Sequence, residues 1–197
     1  MSLQAIDSES LNTLVRQAQQ EDEQAFEQLL GICYDDMYRF ALKVTGRADF
    51  AADATQESCL KLVTAIHSFK FEARFSSWLF RLVSNVCVDH IRKQNCEDQA
   101  LANTFEPVRE GTGPDDIAMK AVVLSETLQS INRFGKDMLE TVLLVHLGGA
   151  THREAAKLLK VKESTISVRL HEIRKRLAER KKSRSAASPA ALTGGKS

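Results

Sequence analysis

Twelve lysines and arginines stand against four glutamates in residues 151–184 of this 197-residue chain. Their spacing is as informative as their number. In residues 151–180, THREAAKLLKVKESTISVRLHEIRKRLAER, the apolar Ile166, Leu170, Ile173 and Leu177 fall 4, 3 and 4 residues apart and share one helical face. Lys162, Arg169, Arg174, Lys175, Arg176 and Arg180 lie opposite. Cations on such a face can neutralise phosphates and hydrogen-bond to base edges. Just upstream, Thr151 and Glu154 have the spacing of a capping box, followed by an apolar stripe of Ala155, Ala156, Leu158 and Leu159 and a break at 160–162. Two short helices with a tight turn, the second basic, are what a DNA major groove accepts. A solvated helical hairpin in a bundle would give the same window, so the rest of the chain has to decide.

A second group lies in residues 69–93. SFKFEARFSS is a loop with three Phe and three charges, and the helix after it turns Arg81, Asn85, Arg92 and Lys93 outward around a single tryptophan, Trp78. Aromatic rings beside cations suit single-stranded nucleic acid, because every base has a face to stack on; the competing reading puts Phe75, Trp78 and Phe80 in the core. Cys87 and His90 stand three apart with Cys96 nearby, but no fourth ligand is evident, so they read as an ordinary buried thiol and a surface histidine, with no metal and no cofactor expected. A Gly-rich phosphate loop, a His-Glu-x-x-His and a nucleophile elbow are all missing from the sequence, which argues against an enzyme.

The net charge of +1 conceals an asymmetry: residues 1–30 hold six acids and one base, whereas the basic charge gathers at the other end, where it suggests a polyanion partner. No apolar run approaches the roughly 18–20 residues that span a bilayer, so no membrane insertion is expected. MSLQAIDSES lacks the marks of a signal peptide, and the chain is expected in the cytoplasm, with Cys33, Cys59, Cys87 and Cys96 as buried thiols.

These groups must be positioned by helices. The patterning predicts an all-α chain: helices near 10–20, 22–45, 49–67 and 76–94, then 115–132 and 136–148, then the helix-turn-helix. Asp22 is the expected N-cap of the second helix and Gly46 its stop. The second is expected to bury Phe26, Leu29, Leu30, Cys33, Met37, Phe40, Ala41 and Val44. The third is expected to bury Phe50, Ala54, Leu60, Val63 and Ile66 and to expose Asp53, Gln56 and Glu57. The fourth is expected to bury Leu79, Leu82, Val83, Val86 and Ile91. The expected layout is two small helical domains, residues 10–95 and 115–182, joined by a flexible linker at 96–114 and followed by a disordered tail at 183–197.

The order FEQLLGICYDDMYRFALKVTG, DATQESCLKLV, SFKFEARFSSWLFRLVSNVCVDHIRK, linker and helix-turn-helix resembles the extracytoplasmic-function (ECF) sigma factors, the small two-domain members of the bacterial sigma-70 family. Asp-Ala-x-Gln-Glu followed by Phe-x-x-Trp-Leu-Phe-Arg is the specific combination. The resemblance implies a sigma region 2-like domain and a region 4-like domain, and promoter-specific initiation with no catalysis. It places Asp53, Gln56 and Glu57 on the clamp helices of the RNA polymerase β′ subunit. It gives −10 recognition and melting to Lys70, Phe71, Arg74, Arg81, Asn85, Arg92 and Lys93. It gives −35 recognition to Arg153, Lys162, Ser164, Thr165, Ser167, Arg169, Arg174 and Arg176. The partners it implies are core RNA polymerase, through the β′ clamp helices and the β flap, promoter DNA, and an anti-sigma factor. The chain departs from the family at Lys162, where a small polar cap is common, and at Glu172, where a base is frequent. The alternative is a helix-turn-helix regulator that acts without core polymerase; it would need a dimerisation helix or ligand domain, which residues 10–95 do not offer.

Overall fold

The computed structural model describes residue 3 and residues 6–101 and 116–186. Among the described residues there are helices and turns and no strand. The order is α1 (Ser8–Gln19), α2 (Glu23–Thr45), α3 (Ala48–Ala65) with a 3-10 turn at Ile66–Ser68, α4 (Phe75–Leu101), α5 (Asp116–Asn132), α6 (Lys136–Val142) widening into a π-type turn at Leu143–Leu147, α7 (His152–Leu159) and α8 (Glu163–Ala186).

The helix starts follow from side chains that satisfy free backbone N–H groups. The Asp7 carboxylate accepts from the amides of Glu9 (2.9 Å) and Ser10 (3.0 Å), and that of Asp22 accepts from Ala25 N (3.0 Å). Gly46, at φ 70°, ends α2 in the left-handed region that a glycine enters without strain. α2 is the central strut and packs against α1, α3 and α4. Its buried line is Ala25, Leu29, Cys33, Met37, Phe40, Ala41 and Val44, with Phe26 and Leu30 half-buried at its margins.

α3 turns a different face inward from the one its large apolar residues suggest. Its buried residues are Ala51, Ala54, Thr55, Ser58 and Leu62, whereas Leu60 is 73% and Val63 51% exposed and Phe50 is half-buried beneath Arg47. Small residues win the inner face because α3 lies close along α2. The two buried hydroxyls are satisfied within the helix, Thr55 Oγ1 donating to Ala51 O and Ser58 Oγ to Ala54 O, each at 2.6 Å. On α4, Leu79, Val83 and Val86 are buried as expected, with Leu82 and Ile91 half-buried.

The two halves touch: α2 and α4 contact α5, α6, the π-type turn and α7. Phe80 stacks on Phe40 with ring centroids 4.8 Å apart, and Gly148 sits over it. A Cβ at Gly148 would stand 3.0 Å from Leu144 O and 3.4 Å from Phe80 Cβ, so the absence of a side chain there lets the halves close. Against the expected linker at 96–114, α4 continues as helix to Leu101; the remainder, 102–114, lies outside the described residues. α8 likewise runs to Ala186, into the expected tail, and 187–197 lie outside the described residues. None of the described helices is long and apolar enough to cross a membrane.

Candidate nucleic-acid and polymerase interface

The helix-turn-helix is built as its sequence requires. Thr151 Oγ1 accepts from Glu154 N (3.2 Å), and the Glu154 carboxylate accepts from Thr151 N (2.8 Å), closing the capping box. Lys160 takes the left-handed conformation (φ 55°), and Val161 N donates back to Ala156 O (3.0 Å), which reverses the chain into α8. Ile166, Leu170 and Ile173 are buried.

The rotation of α8 decides which candidates face outward. Arg169 is turned sideways: its guanidinium donates to Asp137 of α6 at 2.5 Å, and its side chain is only 15% exposed. It is therefore a tie between helices and does not project from the recognition face, contrary to expectation. Arg176 is also engaged, donating to Glu172 (2.7 Å) with its guanidinium 5.3 Å above the Phe134 ring. The same pairing holds the Glu172 carboxyl below the usual range. Thr165 is half-buried, and Ser167 Oγ lies 3.3 Å from His152 Nδ1 of α7. Exposed are Arg153, Lys162, Ser164, Ser167, Val168, His171, Arg174 and Lys175.

The aromatic loop is not the open platform expected. Phe69 and Phe75 are buried and form one cluster with Phe71 and Trp78, with centroid separations of 4.7 Å (Phe69–Phe71), 5.3 Å (Phe69–Trp78) and 5.4 Å (Phe69–Phe75). Gln19 Nε2 of α1 donates to Ile66 O (2.8 Å) and Phe69 O (2.9 Å), pinning the start of the loop. Phe71 is half-buried at φ 57° beneath the Arg16 guanidinium, 4.0 Å from its ring.

Arg74 faces the other half of the chain. It donates through Nε to Glu154 Oε1 (2.8 Å) and through Nη2 to Glu154 Oε2 (3.1 Å) and Gly149 O (2.6 Å). Lys157 Nζ adds a bond to Glu72 O (3.0 Å). Burial acts to raise the Glu154 carboxyl, but hydrogen bonds from Arg74 and Thr151 outweigh it and hold the group at about 2. Around this contact lies a cleft of about 730 Å³ bordered by Phe71, Arg74, Phe80, Gly149, Arg153 and Lys157. Of the other −10 candidates, Lys70, Arg92 and Lys93 are exposed and Asn85 is half-buried. Arg81 is half-buried, with its Nε shielded and without a partner among the described residues.

On α3, Asp53 and Gln56 are exposed, and Leu60 and Val63 continue the same stripe. Glu57 is drawn aside. It accepts from Lys61 (2.7 Å) and pairs with His90 Nε2 of α4 (2.7 Å), and these hold its carboxyl at about 2. His90 is thus a tie between α3 and α4, not a surface histidine. Burial pushes the thiols of Cys33 and Cys87 up to about 12 and also raises that of half-buried Cys59; the Cys96 side chain lies outside the described residues. No cluster of three or more His, Cys, Asp or Glu capable of holding a metal occurs among the described residues.

Sequence reasoning missed Leu60, Val63 and Val168 as surface residues. For Val168 the signal was present, since it falls between the buried positions 166 and 170 on the side away from both.

Comparison with known proteins is consistent with this arrangement. The Sigma-70 region 2 family matches residues 30–96, which span most of α2, all of α3 and most of α4. The ECF RNA polymerase sigma factor SigW of Bacillus subtilis is 28% identical over 173 residues, covering 83% of this chain and 92% of that one. SigM of Mycobacterium tuberculosis, also an ECF RNA polymerase sigma factor, is 28% identical over 157 residues, 80% of this chain and 77% of its own. Among solved structures, CnrH in complex with the cytosolic domain of CnrY superposes with a TM-score of 0.61 at 19% identity, covering 87% of this chain and 96% of that one. The sigma factor RpoE of Bartonella quintana, solved with the anti-sigma factor NepR, superposes with a TM-score of 0.52 at 24% identity, covering 78% and 94%.

Proposed function

We infer that this chain is an extracytoplasmic-function sigma factor, an alternative sigma subunit that binds core RNA polymerase and directs transcription from its own set of promoters. The observation that carries the reading is the joining of a region 2-like helical bundle and a capped helix-turn-helix in one chain. A free-standing DNA-binding regulator has no need of the first.

In this reading the N-terminal half (10–95) docks on polymerase and handles the −10 element, and the C-terminal half (115–182) reads the −35 element. The exposed α3 stripe of Asp53, Gln56, Leu60 and Val63 supports docking on the β′ clamp helices. Lys70, Asn85, Arg92 and Lys93 supply polar and cationic groups for a displaced strand. Arg153, Lys162, Ser164, Ser167 and Arg174 do so for the −35 duplex, with phosphate contacts dominating affinity. The C-terminal half would meet the β flap. The work is binding and strand capture, carried out in the cytoplasm where promoter DNA lies, and no catalytic step is assigned to the chain. An anti-sigma protein fits the same scheme: the cleft between the halves offers a third body a surface made of both.

Copurification with core RNA polymerase, followed by mapping of transcript starts with the reconstituted holoenzyme, tests the reading. Transcription from a discrete promoter set is expected. Failure to associate with core would overturn it in favour of a regulator that acts on DNA alone.

A further inference from the structure

We propose that Val168 is a specificity-determining residue that reads a thymine through its 5-methyl group in the −35 major groove; the inference rests on the promoter-recognition reading above. The argument begins with the rotation of α8. Ile166, Leu170 and Ile173 are buried, and Arg169 is held to Asp137, so the helix cannot turn without breaking both sets of contacts. Successive residues project about 100° apart. This places Ser164, Val168, His171 and Lys175 along the outward line, with Ser167 beside it.

Val168 is the sixth residue of α8 and 67% exposed, within the N-terminal part of a recognition helix that reaches base edges. Its neighbours on the line are polar or cationic. Lys162, Arg174 and Lys175 are exposed cations able to meet phosphates, while Ser167 is partly engaged by His152. A valine offers no hydrogen bond. The apolar feature that base pairs present in the major groove is the thymine methyl. An isopropyl group set among Ser164, Thr165, His171 and Glu172, whose carboxylate is already taken by Arg176, therefore fits one occupant there, a T·A pair placed beneath it.

The test uses holoenzyme assembled from the full chain. A duplex is first enriched from a pool randomised across the −35 element, and each thymine of the selected element is then replaced singly by deoxyuridine, which removes only the methyl. One such replacement should weaken binding of the unaltered holoenzyme about fourfold, the worth of one buried methyl-sized group. Val168→Ala should weaken binding to the parent duplex by a similar factor and abolish the response to that one replacement. Val168→Ile should keep the response. Val168 is exposed, so the variants should melt with the unaltered chain.

A selected element without thymine, equal binding of all deoxyuridine duplexes by the unaltered holoenzyme, or an undiminished response in Val168→Ala would each overturn the assignment while leaving the sigma reading intact. A chain that does not assemble with core would overturn both.

Discussion

Arg74 and Glu154, eighty residues apart in sequence, form a two-pronged ion pair at 2.8 and 3.1 Å, and the same Glu154 carboxylate closes the capping box of α7. One side chain thus starts the helix-turn-helix and fastens it to the loop that leads into α4. Arg74, which the resemblance assigns to the −10 element, is here held by the C-terminal half.

Separating the two roles of Glu154 gives the first prediction. Glu154→Gln keeps a side chain that can complete a capping box but loses the charge that Arg74 grips. It should cost of order 1 kcal/mol or less in thermal unfolding and loosen the contact between the halves, which α5, α6 and the π-type turn still hold against α2 and α4, seen as a slightly larger radius of gyration in small-angle scattering. Thr151→Ala should cost about 1 kcal/mol, the usual worth of an N-cap, in thermal unfolding.

The same carboxylate sets a pH dependence. Its value in the fold, about 2, lies below its ordinary 4.5, so its contribution is complete above 4.5 and is lost as pH falls toward 2. The contact between the halves should be firmest from neutrality to about pH 5 and loosen in acid, with Glu154→Gln showing no such dependence in that window. Scattering across a pH series reads both.

Leu60 predicts a clean loss of affinity. At 73% exposure it contributes little to the fold, so Leu60→Ala should alter stability by less than about 0.5 kcal/mol. Together with Asp53→Lys it should weaken capture of core polymerase at least tenfold. Glu57→Lys is a poorer probe, because it places a third base beside Lys61 and His90 and should lower the melting temperature as well.

Arg169→Ala should weaken promoter binding evenly across −35 sequences without relaxing the choice of bases, since the guanidinium holds Asp137. The pair is short but Asp137 is 69% exposed, so the loss in stability should be of order 1 kcal/mol or less. Binding measured against single-base variants of a promoter checks the evenness.

Strand capture can be probed without disturbing the core. Lys70→Ala and Asn85→Ala should spare polymerase binding and reduce permanganate reactivity of thymines near the start site. Replacing Phe69 or Phe75 would not be informative, because both rings are buried.

What the sequence made legible was local. The capping box, the Asp22 cap, the Gly46 stop and the buried line of α2 depend on neighbours within a turn or two, and each could be read from spacing. What escaped depends on partners far along the chain. Arg169 turns inward because Asp137 is 32 residues away, and Arg74 because Glu154 is eighty residues away. The face of α3 was misjudged because periodicity ranks residues by size, whereas close packing on α2 selects Ala51, Ala54 and Ser58. The Phe-rich loop looked open because no local signal announces the amide of Gln19 that fastens it.

The buried thiols turn the N-terminal bundle into its own clock. All four cysteines precede residue 97, so a thiol reagent is blind to the helix-turn-helix. With Cys33 and Cys87 pushed up to about 12 by burial, the reactive thiolate is strongly disfavoured at neutral pH, and both sulfurs are buried. Oxidants met in passing will not register at these two positions. Their modification instead counts the moments when α2 and α4 part, so slow labelling kinetics measure how often the N-terminal bundle breathes.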